Sequence, residues 1–224
     1  EFEHDLSLTD ANHYFFGAFK NLWLKSGGSF NGYIREAKVP FLKKPIMTFD
    51  SPSLDEIIIE GVKESDNLIA RNLFLSLNQS SDKSYRASRR IMRKVLNSND
   101  VSMTYNTFFE NGSGLSRKTK MKPETIMSLL KAIKQHPSSD IIIRSLPISG
   151  VDGTIENQYK TDLLKKRLKL KTGTLDGVSG LAGFVTGLSG TEYAFVFLHN
   201  DIPDHPYKIS SFREGLLNWV VSDI

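Results

Sequence analysis

Apolar side chains recur every three or four residues through most of the first half of the chain, a spacing that predicts a succession of helices. The first is predicted over Ser7–Ser26, with Ser7 as its N-cap and Gly27-Gly28 ending it. Residues 29–44 are expected to form short edge strands and turns. Ser53 is the expected N-cap of a second helix, which the polar run 63–67 separates from the next. The helices predicted after that break cover Leu68–Leu77, Tyr85–Leu96 and Glu124–Gln135, the last with Pro123 as its first residue.

Short apolar runs bounded by turn residues replace this spacing in the final third of the chain. Three of them predict an antiparallel meander: Leu168–Leu175, Leu181–Leu188 and Glu192–His199, with turns at Asp176-Gly177 and Ser189-Gly190. A further strand is predicted over Met103–Glu110, ahead of a tight turn at 111–114. Ser211–Val221 is predicted to close the chain as a helix with Phe212, Leu216, Trp219 and Val220 on its apolar side. Helices around an antiparallel sheet make the fold class α+β.

Composition narrows the classes of protein that fit this pattern. The chain has 224 residues, 39% of them hydrophobic and 24% charged, which excludes a disordered or collagen-like protein. It contains no cysteine, so a disulfide scaffold or a cysteine-based metal site is impossible. No apolar run approaches the roughly 20 residues of a membrane helix. The first residues lack a secretion signal, so we expect either a cytosolic protein or one whose native N-terminus has been removed.

Candidate chemistry begins with Lys171-Thr172-Gly173-Thr174 at the end of the first predicted meander strand. An ammonium and two hydroxyls on one strand edge can hold a carboxylate. Gly173 has no side chain, so a substrate backbone can lie against the strand there. The alternative is a solvated lysine beside two threonines that favour strands.

Ser65-Asp66-Asn67 falls in the polar break between two predicted helices, from which its side chains can project into a cleft. Such a triplet is by itself typical of a helix cap. Ser-x-Asn followed by Lys-Thr-Gly, however, is two thirds of the set used by penicillin-recognising serine enzymes, whose third part is a Ser-x-x-Lys nucleophile.

The chain resembles the penicillin-binding protein 4 type of D-alanyl-D-alanine carboxypeptidase/endopeptidase, the class C low-molecular-mass penicillin-binding proteins of peptidase family S13. Five segments in order carry the resemblance: Ser65–Asn67 with the following Leu-Ile-Ala, Glu110–Arg117, Leu146–Thr154, Lys171–Leu175 and Gly180–Phe184. It extends from about residue 7 to the C-terminus. It implies a β-lactamase/transpeptidase-like fold, a periplasmic location and hydrolysis of D-Ala-D-Ala or of peptidoglycan cross-links, with no cofactor.

The resemblance also implies partners and a missing part. The expected ligands are peptidoglycan stem peptides and beta-lactam antibiotics, without nucleic acid and with at most peripheral membrane association. Residues 1–224 would be the C-terminal part of the penicillin-binding domain, with the Ser-x-x-Lys segment and inserted domains upstream. Two Ser-x-x-Lys strings do occur, at Ser80–Lys83 and Ser128–Lys131. Both follow Ser65, in the wrong order for the family, so we reject them.

Roles for individual residues follow from the same resemblance. Lys171 would supply positive potential for the terminal carboxylate, and Thr172 and Thr174 would donate hydroxyls to it across Gly173. The N–H of Thr174 would be one oxyanion donor. Ser65 would relay the proton to the leaving amine. Asn67 would hold the substrate's peptide amide.

Two further residues are assigned to substrate recognition. Arg117 would grip the free carboxylate of the stem peptide's diamino acid, or, alternatively, only tether its own loop. Asp176 would meet the ammonium of that diamino acid, or simply belong to an Asp-Gly turn, and we favour the turn.

Competing functions are weighed on the same residues. His199, Asp201, Asp204 and His205 cluster after the last predicted strand, but their spacing fits no metal site, and we predict a proline-punctuated loop instead. A non-catalytic relative that binds peptidoglycan is the main alternative function. A nucleic-acid surface on the Tyr85–Leu96 helix is disfavoured, because the net charge of +4 is modest and no aromatic residues are interleaved with the basic ones.

Overall fold

The computed structural model describes residues 10–38, 44, 47–200 and 206–223, with the side chains of 206–208 excepted. The chain divides into two compact units, Glu1–Asp50 and Ser51–Ile224. In the first unit, α1 spans Ala11–Lys25. Asp10 caps this helix by accepting hydrogen bonds from two backbone N–H groups of its first turn, so Asp10, and not Ser7, is the cap. Ser7 itself and residues 39–43 lie outside the described residues. Residues 28–38 form no regular element, so the short edge strands expected from residue 29 onward are wrong over 29–38.

The second unit contains helices, one sheet and a single turn of 3₁₀ helix at Gly153–Ile155. Ser53 precedes the first helix as predicted, and its N–H donates to the Glu56 carboxylate at 2.8 Å, as in a capping box. The helices are α2 (Leu54–Lys63), α3 (Asn67–Ser76), α4 (Tyr85–Ser98), α5 (Pro123–Gln135), α6 (Ser139–Ser145) and α7 (Pro206–Val221). The strands are β1 (Leu168–Leu175), β2 (Val178–Thr186) and β3 (Glu192–Asn200).

The three strands form the predicted antiparallel meander, in the order β1-β2-β3. One face of the sheet packs on α7 through a fully buried apolar cluster. That cluster includes Leu168, Leu170, Leu181, Val185, Leu217 and Val221. The opposite face packs through Phe184 on Leu130 of α5, Ile143 of α6 and Leu146. Within the second unit the sheet is therefore a middle layer between α7 on one face and α5 and α6 on the other, which confirms the predicted α+β class.

Half of β1 is covered along the edge that faces away from β2. Leu170 N–H donates to Pro147 O at 2.9 Å, and Ser149 N–H donates to Leu168 O at 3.0 Å. Alternation along an antiparallel strand sends the N–H groups of Thr172 and Thr174 to this same edge, beyond the covering segment. The edge is thus closed at its start and open where the Lys-Thr-Gly-Thr motif begins.

Three predictions about elements need correction. Met103–Glu110 is not a strand: in the described structure it has only an isolated bridge between Phe108 and Lys120. Basic side chains of α4 satisfy its carbonyl groups instead, since Arg93 donates to Thr107 O and Arg89 donates to Glu110 O at 3.0 Å. The short helix α6 was not predicted.

The third correction concerns α7, whose buried side is rotated from the predicted one. Leu217 and Val221 are fully buried, whereas Phe212 and Trp219 are 61% and 55% exposed. Val220, also predicted on the apolar side, does pack against this cluster, so the centre of the buried face is displaced by about one residue, or roughly 100° around the helix. In the part of the chain that is described, no helix combines the length and apolar character needed to cross a membrane.

Candidate active site

Ser65 occupies a strained turn at the end of α2. The N–H of Asp66 donates to Gly61 O at 2.9 Å and the N–H of Ser65 donates to Val62 O at 3.3 Å, the two hydrogen bonds of a Schellman motif. The residue at the Ser65 position of this motif takes a left-handed conformation, and Ser65 has φ 58°. Glycine is the usual choice there, so a serine is held at a conformational cost of about 1 kcal/mol.

The two residues after Ser65, Asp66 and Asn67, begin helix α3. Asp66 is the N-cap, and its carboxylate accepts from Leu68 N and Ile69 N at 2.7 and 2.9 Å. Asn67 is the first helical residue and is half-buried. The two interpretations of Ser65-Asp66-Asn67, as a helix cap and as a catalytic motif, are therefore compatible. Asp66 caps α3, and the side chains of Ser65 and Asn67 remain available for other contacts.

Lys171 joins this turn to the sheet. Its Nζ donates to Ser65 Oγ at 2.8 Å and to Thr172 O at 3.1 Å. Burial lowers the pKa of the Lys171 ammonium from its usual value of 10.5. Among the described residues no carboxylate forms an ion pair with Lys171. The charge is thus balanced only by neutral oxygen acceptors, which suits a group that must exchange a proton or attract an anion.

A pair of facing glycines leaves the sheet beside this lysine without side chains. Gly173 of β1 lies opposite Gly180 of β2, and Leu198 of β3 follows in the same row. A Cβ atom added to Gly173 would meet no other atom within 4 Å, so the space above it is open. An extended ligand can therefore approach the backbone of β1 at this point.

A cleft of about 890 Å³ brings most of the predicted residues together. Its walls come from the Ser65 turn, the 113–121 loop and the β1 edge. The predicted site residues that line it are Ser65, Asn67, Arg117, Lys171, Thr172, Gly173 and Thr174. Of the predicted set, only Asp176 is not part of the lining.

Arg117 and Asp176 contact each other at the outer end of the cleft. Arg117 Nη1 donates to the backbone oxygen of Asp176 at 2.7 Å, and the two side chains approach to 4.0 Å. Asp176 and Gly177 form the β1–β2 turn, with Gly177 at φ 72°, which agrees with the turn that we favoured. The Asp176 carboxylate is fully exposed, whereas Arg117 both ties its loop to this turn and lines the cleft.

Three residues near the site were given no role by the sequence. Lys63 Nζ donates to the Asp152 carboxylate at 2.6 Å, and Thr154 Oγ1 lies 2.9 Å from Thr172 Oγ1. Asp152 and Thr154 belong to the third of the five segments that carry the resemblance, Leu146–Thr154. Membership of that segment was the one available signal, and it does not indicate which contacts its residues make.

Neither rejected Ser-x-x-Lys string contributes to the cleft. Lys83 Nζ donates to Asn78 O at 2.7 Å. Ser128 accepts a hydrogen bond from Ser102 N at 2.9 Å and, with Lys131, lines a separate cavity of about 510 Å³. Of the histidine and aspartate cluster that was disfavoured as a metal site, His199 lies in β3, whereas Asp201, Asp204 and His205 lie outside the described residues.

Comparison with known proteins identifies relatives of this chain. The sequence profile of the D-Ala-D-Ala carboxypeptidase 3 (S13) family matches residues 1–218. The chain is 31% identical over 175 residues to D-alanyl-D-alanine carboxypeptidase DacB of Haemophilus influenzae, covering 76% of this chain and 36% of that protein. It is also 31% identical over 157 residues to a D-alanyl-D-alanine carboxypeptidase of Actinomadura, covering 67% and 29%. The chain thus spans about a third of the length of these relatives.

Solved structures share the fold. The crystal structure of penicillin-binding protein 4 from Haemophilus influenzae with a bound beta-lactam is similar with a TM-score of 0.80 and 27% identity, over 96% of this chain and 52% of that one. A predatory endopeptidase from Bdellovibrio bacteriovorus matches with a TM-score of 0.55 and 20% identity over 96% and 57%, which shows a common fold. The profile match and the identity to curated carboxypeptidases confirm the resemblance. The chain belongs to the D-Ala-D-Ala carboxypeptidase 3 (S13) family of serine peptidases.

Proposed function

We propose that this chain supplies two of the three parts of the active site of a penicillin-sensitive serine D-Ala-D-Ala carboxypeptidase and peptidoglycan endopeptidase. The observation that carries the proposal is the hydrogen bond from Lys171 Nζ to Ser65 Oγ in a cleft that Gly173 and Gly180 also line. A half-buried ammonium that has no carboxylate partner among the described side chains, beside a hydroxyl held in a strained turn, is the kind of arrangement that concentrates at catalytic sites.

The reaction would proceed in two stages through an acyl-enzyme. A serine Oγ attacks the carbonyl carbon of the penultimate D-Ala, and the tetrahedral intermediate collapses with cleavage of the peptide C–N bond. The attacking serine loses its Oγ proton, Ser65 passes a proton to the nitrogen of the departing D-Ala, and Lys171 keeps Ser65 poised for that transfer. Water then hydrolyses the ester and returns the proton to the serine. Asn67, half-buried in the same cleft, holds the amide of the substrate.

The open edge of β1 would bind the end of the substrate. Lys171 and the hydroxyls of Thr172 and Thr174 face its terminal carboxylate, and the missing side chain of Gly173 leaves room for its backbone. Thr174 N–H, on the uncovered part of that edge, would be one of two donors to the developing oxyanion. The second donor would be the N–H of the nucleophilic serine.

Arg117 would recognise the side chain of the stem peptide. One of its five N–H donors is used by Asp176 O, which fixes the guanidinium at the outer end of the cleft and leaves the others for a carboxylate. The diamino acid of a stem peptide carries such a carboxylate. Asp176, fully exposed in its turn, contributes its backbone oxygen to this arrangement, with its carboxylate available to an ammonium.

The proposal also covers the source of the nucleophilic serine and the cellular compartment of the protein. The serine would come from a Ser-x-x-Lys segment outside these 224 residues, so that residues 1–224 form the C-terminal part of the penicillin-binding domain. Peptidoglycan stem peptides and beta-lactams would be the ligands, and the periplasm the compartment. The absence of cysteine from the chain suits an oxidising compartment.

Covalent labelling with a fluorescent penicillin tests this function. We expect the full-length protein to become labelled, labelling to be blocked by unlabelled penicillin, and the isolated 224-residue chain to stay unlabelled. Stoichiometric labelling of the isolated chain would contradict the rejection of Ser80 and Ser128. A full-length protein that binds peptidoglycan without reacting would instead support the non-catalytic alternative.

A further inference from the structure

The segment Asp152-Gly153-Thr154, which we call the bridging segment, contacts both of the elements whose side chains meet at Ser65 and Lys171. On one side it touches the end of α2, immediately before the Ser65 turn. On the other it touches β1, immediately after Lys171. No role in catalysis or binding was assigned to it above.

The contact with α2 is both ionic and steric. The ammonium of Lys63, whose side chain is only 18% exposed, donates to Asp152 Oδ2 at 2.6 Å and to Leu146 O at 3.1 Å. The second oxygen of the Asp152 carboxylate accepts from Ile148 N at 2.8 Å, so this carboxylate is fixed at both ends. Lys63 is the last residue of α2, and Ser65 follows two positions later.

Gly153 lets the two backbones approach closely. It has φ 60°, and a Cβ atom built on it would lie 2.7 Å from the carbonyl oxygen of Lys63. Only glycine meets both conditions without displacing the end of α2. The backbone contact at Gly153 therefore limits how closely the bridging segment can approach the end of α2, while the Lys63–Asp152 ion pair holds the two together.

The contact with β1 is a single hydrogen bond between hydroxyls. Thr154 Oγ1 and Thr172 Oγ1 are 2.9 Å apart, and Thr172 also accepts the Lys171 ammonium on its backbone oxygen. A β-branched side chain at each end leaves little rotational freedom at χ1. The bridging segment thus spans the gap between α2 and β1 through short, stiff contacts at both ends.

We propose that the bridging segment is a positioning device that holds Ser65 within hydrogen-bond distance of Lys171, with Asp152 and Thr154 as positioning residues. The proposal rests on the proposed function for its significance in catalysis. Its structural content, that contacts of Asp152 and Thr154 set the separation of Ser65 and Lys171, can be measured without any turnover.

A thiol at position 65 makes that separation measurable. The chain contains no cysteine, so Ser65→Cys introduces a single thiol into it. A neighbouring ammonium lowers the pKa of a thiol, and the pH dependence of alkylation by iodoacetamide reports that pKa. The double variant Ser65→Cys/Lys171→Met serves as the reference, because it gives the thiol pKa in the absence of the ammonium.

Thr154→Val in the Ser65→Cys chain is the test, because it removes the hydroxyl and keeps the branched shape. We expect the thiol pKa to rise toward that of the Lys171→Met reference, and alkylation at pH 7 to slow about threefold or more. Thr154→Ser, which keeps the hydroxyl, should restore the parental thiol pKa. Thr161→Val, a change at an exposed threonine, serves as the matched control and should leave it unchanged.

An unchanged thiol pKa in folded Thr154→Val overturns the proposal, whatever happens to the melting temperature. Where Thr154→Val fails to fold, Asp152→Asn is judged by the same criterion, since it removes the charge that holds Lys63. Failure of the full-length protein to react with penicillin would overturn the proposed function. It would not affect the thiol measurement, so the two outcomes remain distinguishable.

Discussion

Lys171 Nζ donates a hydrogen bond to Ser65 Oγ across a sequence separation of 106 residues. The contact connects the C-terminus of a helix to the edge of a sheet, and neither residue has a carboxylate partner among the side chains described. Because burial disfavours the ammonium form of Lys171, the proton that it shares with this contact is held less tightly than on a solvated lysine. Several measurable properties of the protein depend on this one contact.

Lys171→Ala in the full-length protein should slow acylation by fluorescent penicillin by about 100-fold or more, because it removes a positioned ammonium from a site where charge develops. The rate constant is measured by stopping the reaction at intervals and separating the labelled protein. Lys169→Ala, two residues earlier on β1, removes the same charge outside the cleft lining and is the matched control. Equal rates in wild type and Lys171→Ala would remove Lys171 from the mechanism.

The pH dependence of stability should reveal the lowered pKa of Lys171. In the folded protein this lysine loses its proton below the pH at which the unfolded chain does, near 10.5. Between those two values the unfolded state binds more protons, so the free energy of unfolding contributed by Lys171 rises with pH. Urea denaturation gives the free energy of unfolding of wild type and of Lys171→Met at each pH. We expect the difference between the two to be constant at lower pH and the wild type to gain stability relative to the variant as the pH approaches 10.5. A shift in the opposite direction would indicate a raised pKa.

Two substitutions at Ser65 should separate backbone strain from chemistry. Ser65→Gly and Ser65→Ala both remove the hydroxyl, but only glycine adopts φ 58° without strain. We expect the glycine variant to be more stable than the alanine variant by about 1 kcal/mol in urea denaturation. Both should lose most of their acylation rate. Equal stabilities would show that the turn relaxes when the hydroxyl is absent.

Gly153→Ala should destabilise the protein far more than a comparable change elsewhere. The new Cβ would lie 2.7 Å from Lys63 O at φ 60°, so overpacking adds to backbone strain, and we expect a loss of about 2–4 kcal/mol in the free energy of unfolding. Gly114→Ala is the control, because Gly114 has φ 79° but open space around its Cα. Strain alone should cost it about 1 kcal/mol. Similar losses in the two variants would mean that the end of α2 moves freely.

Arg117→Lys should affect binding of one class of substrate. A lysine keeps the charge but cannot form two parallel hydrogen bonds, so KM should rise about tenfold for a stem peptide with a free diamino acid carboxylate, with kcat nearly unchanged. The same peptide with that carboxylate amidated is the control and should show no difference between the two enzymes. An equal rise for both peptides would mean that Arg117 only tethers its loop to the β1–β2 turn.

Local sequence patterns predicted the helices and strands in which buried apolar side chains recur at a regular spacing. The meander and helices α2 to α5 follow from apolar spacing, N-caps and a proline at the first position of α5, all of which are short-range signals. Met103–Glu110 has the alternation of a strand, but two of its carbonyl groups accept hydrogen bonds from arginines of α4, which no local pattern indicates. In α7 the spacing identified the helix, yet which side is buried depended on the sheet against which it packs.

The site was predictable only where motif order supplied long-range information. Ser65 and Lys171 were paired through the resemblance, and Asp176 was correctly placed in a turn because Asp-Gly is a local signal. Lys63 carries no such signal, and Asp152 and Thr154 carry only their membership of the Leu146–Thr154 segment, which does not indicate their contacts. Their contacts arise from the distance between α2 and β1, and a lysine, an aspartate and a threonine have many alternative partners in any sequence of this composition.

The partial cover along β1 also bears on aggregation. An exposed strand edge invites pairing with another chain, and proteins commonly protect such edges with cover or with lysine. Pro147–Ser149 covers the first part of β1, and the uncovered remainder begins at a lysine and includes a glycine, a weak strand former. An edge that must stay open for a ligand is thereby kept short and poorly suited to self-association, so replacing Lys171 together with Gly173 by β-branched residues should promote aggregation as well as abolish binding.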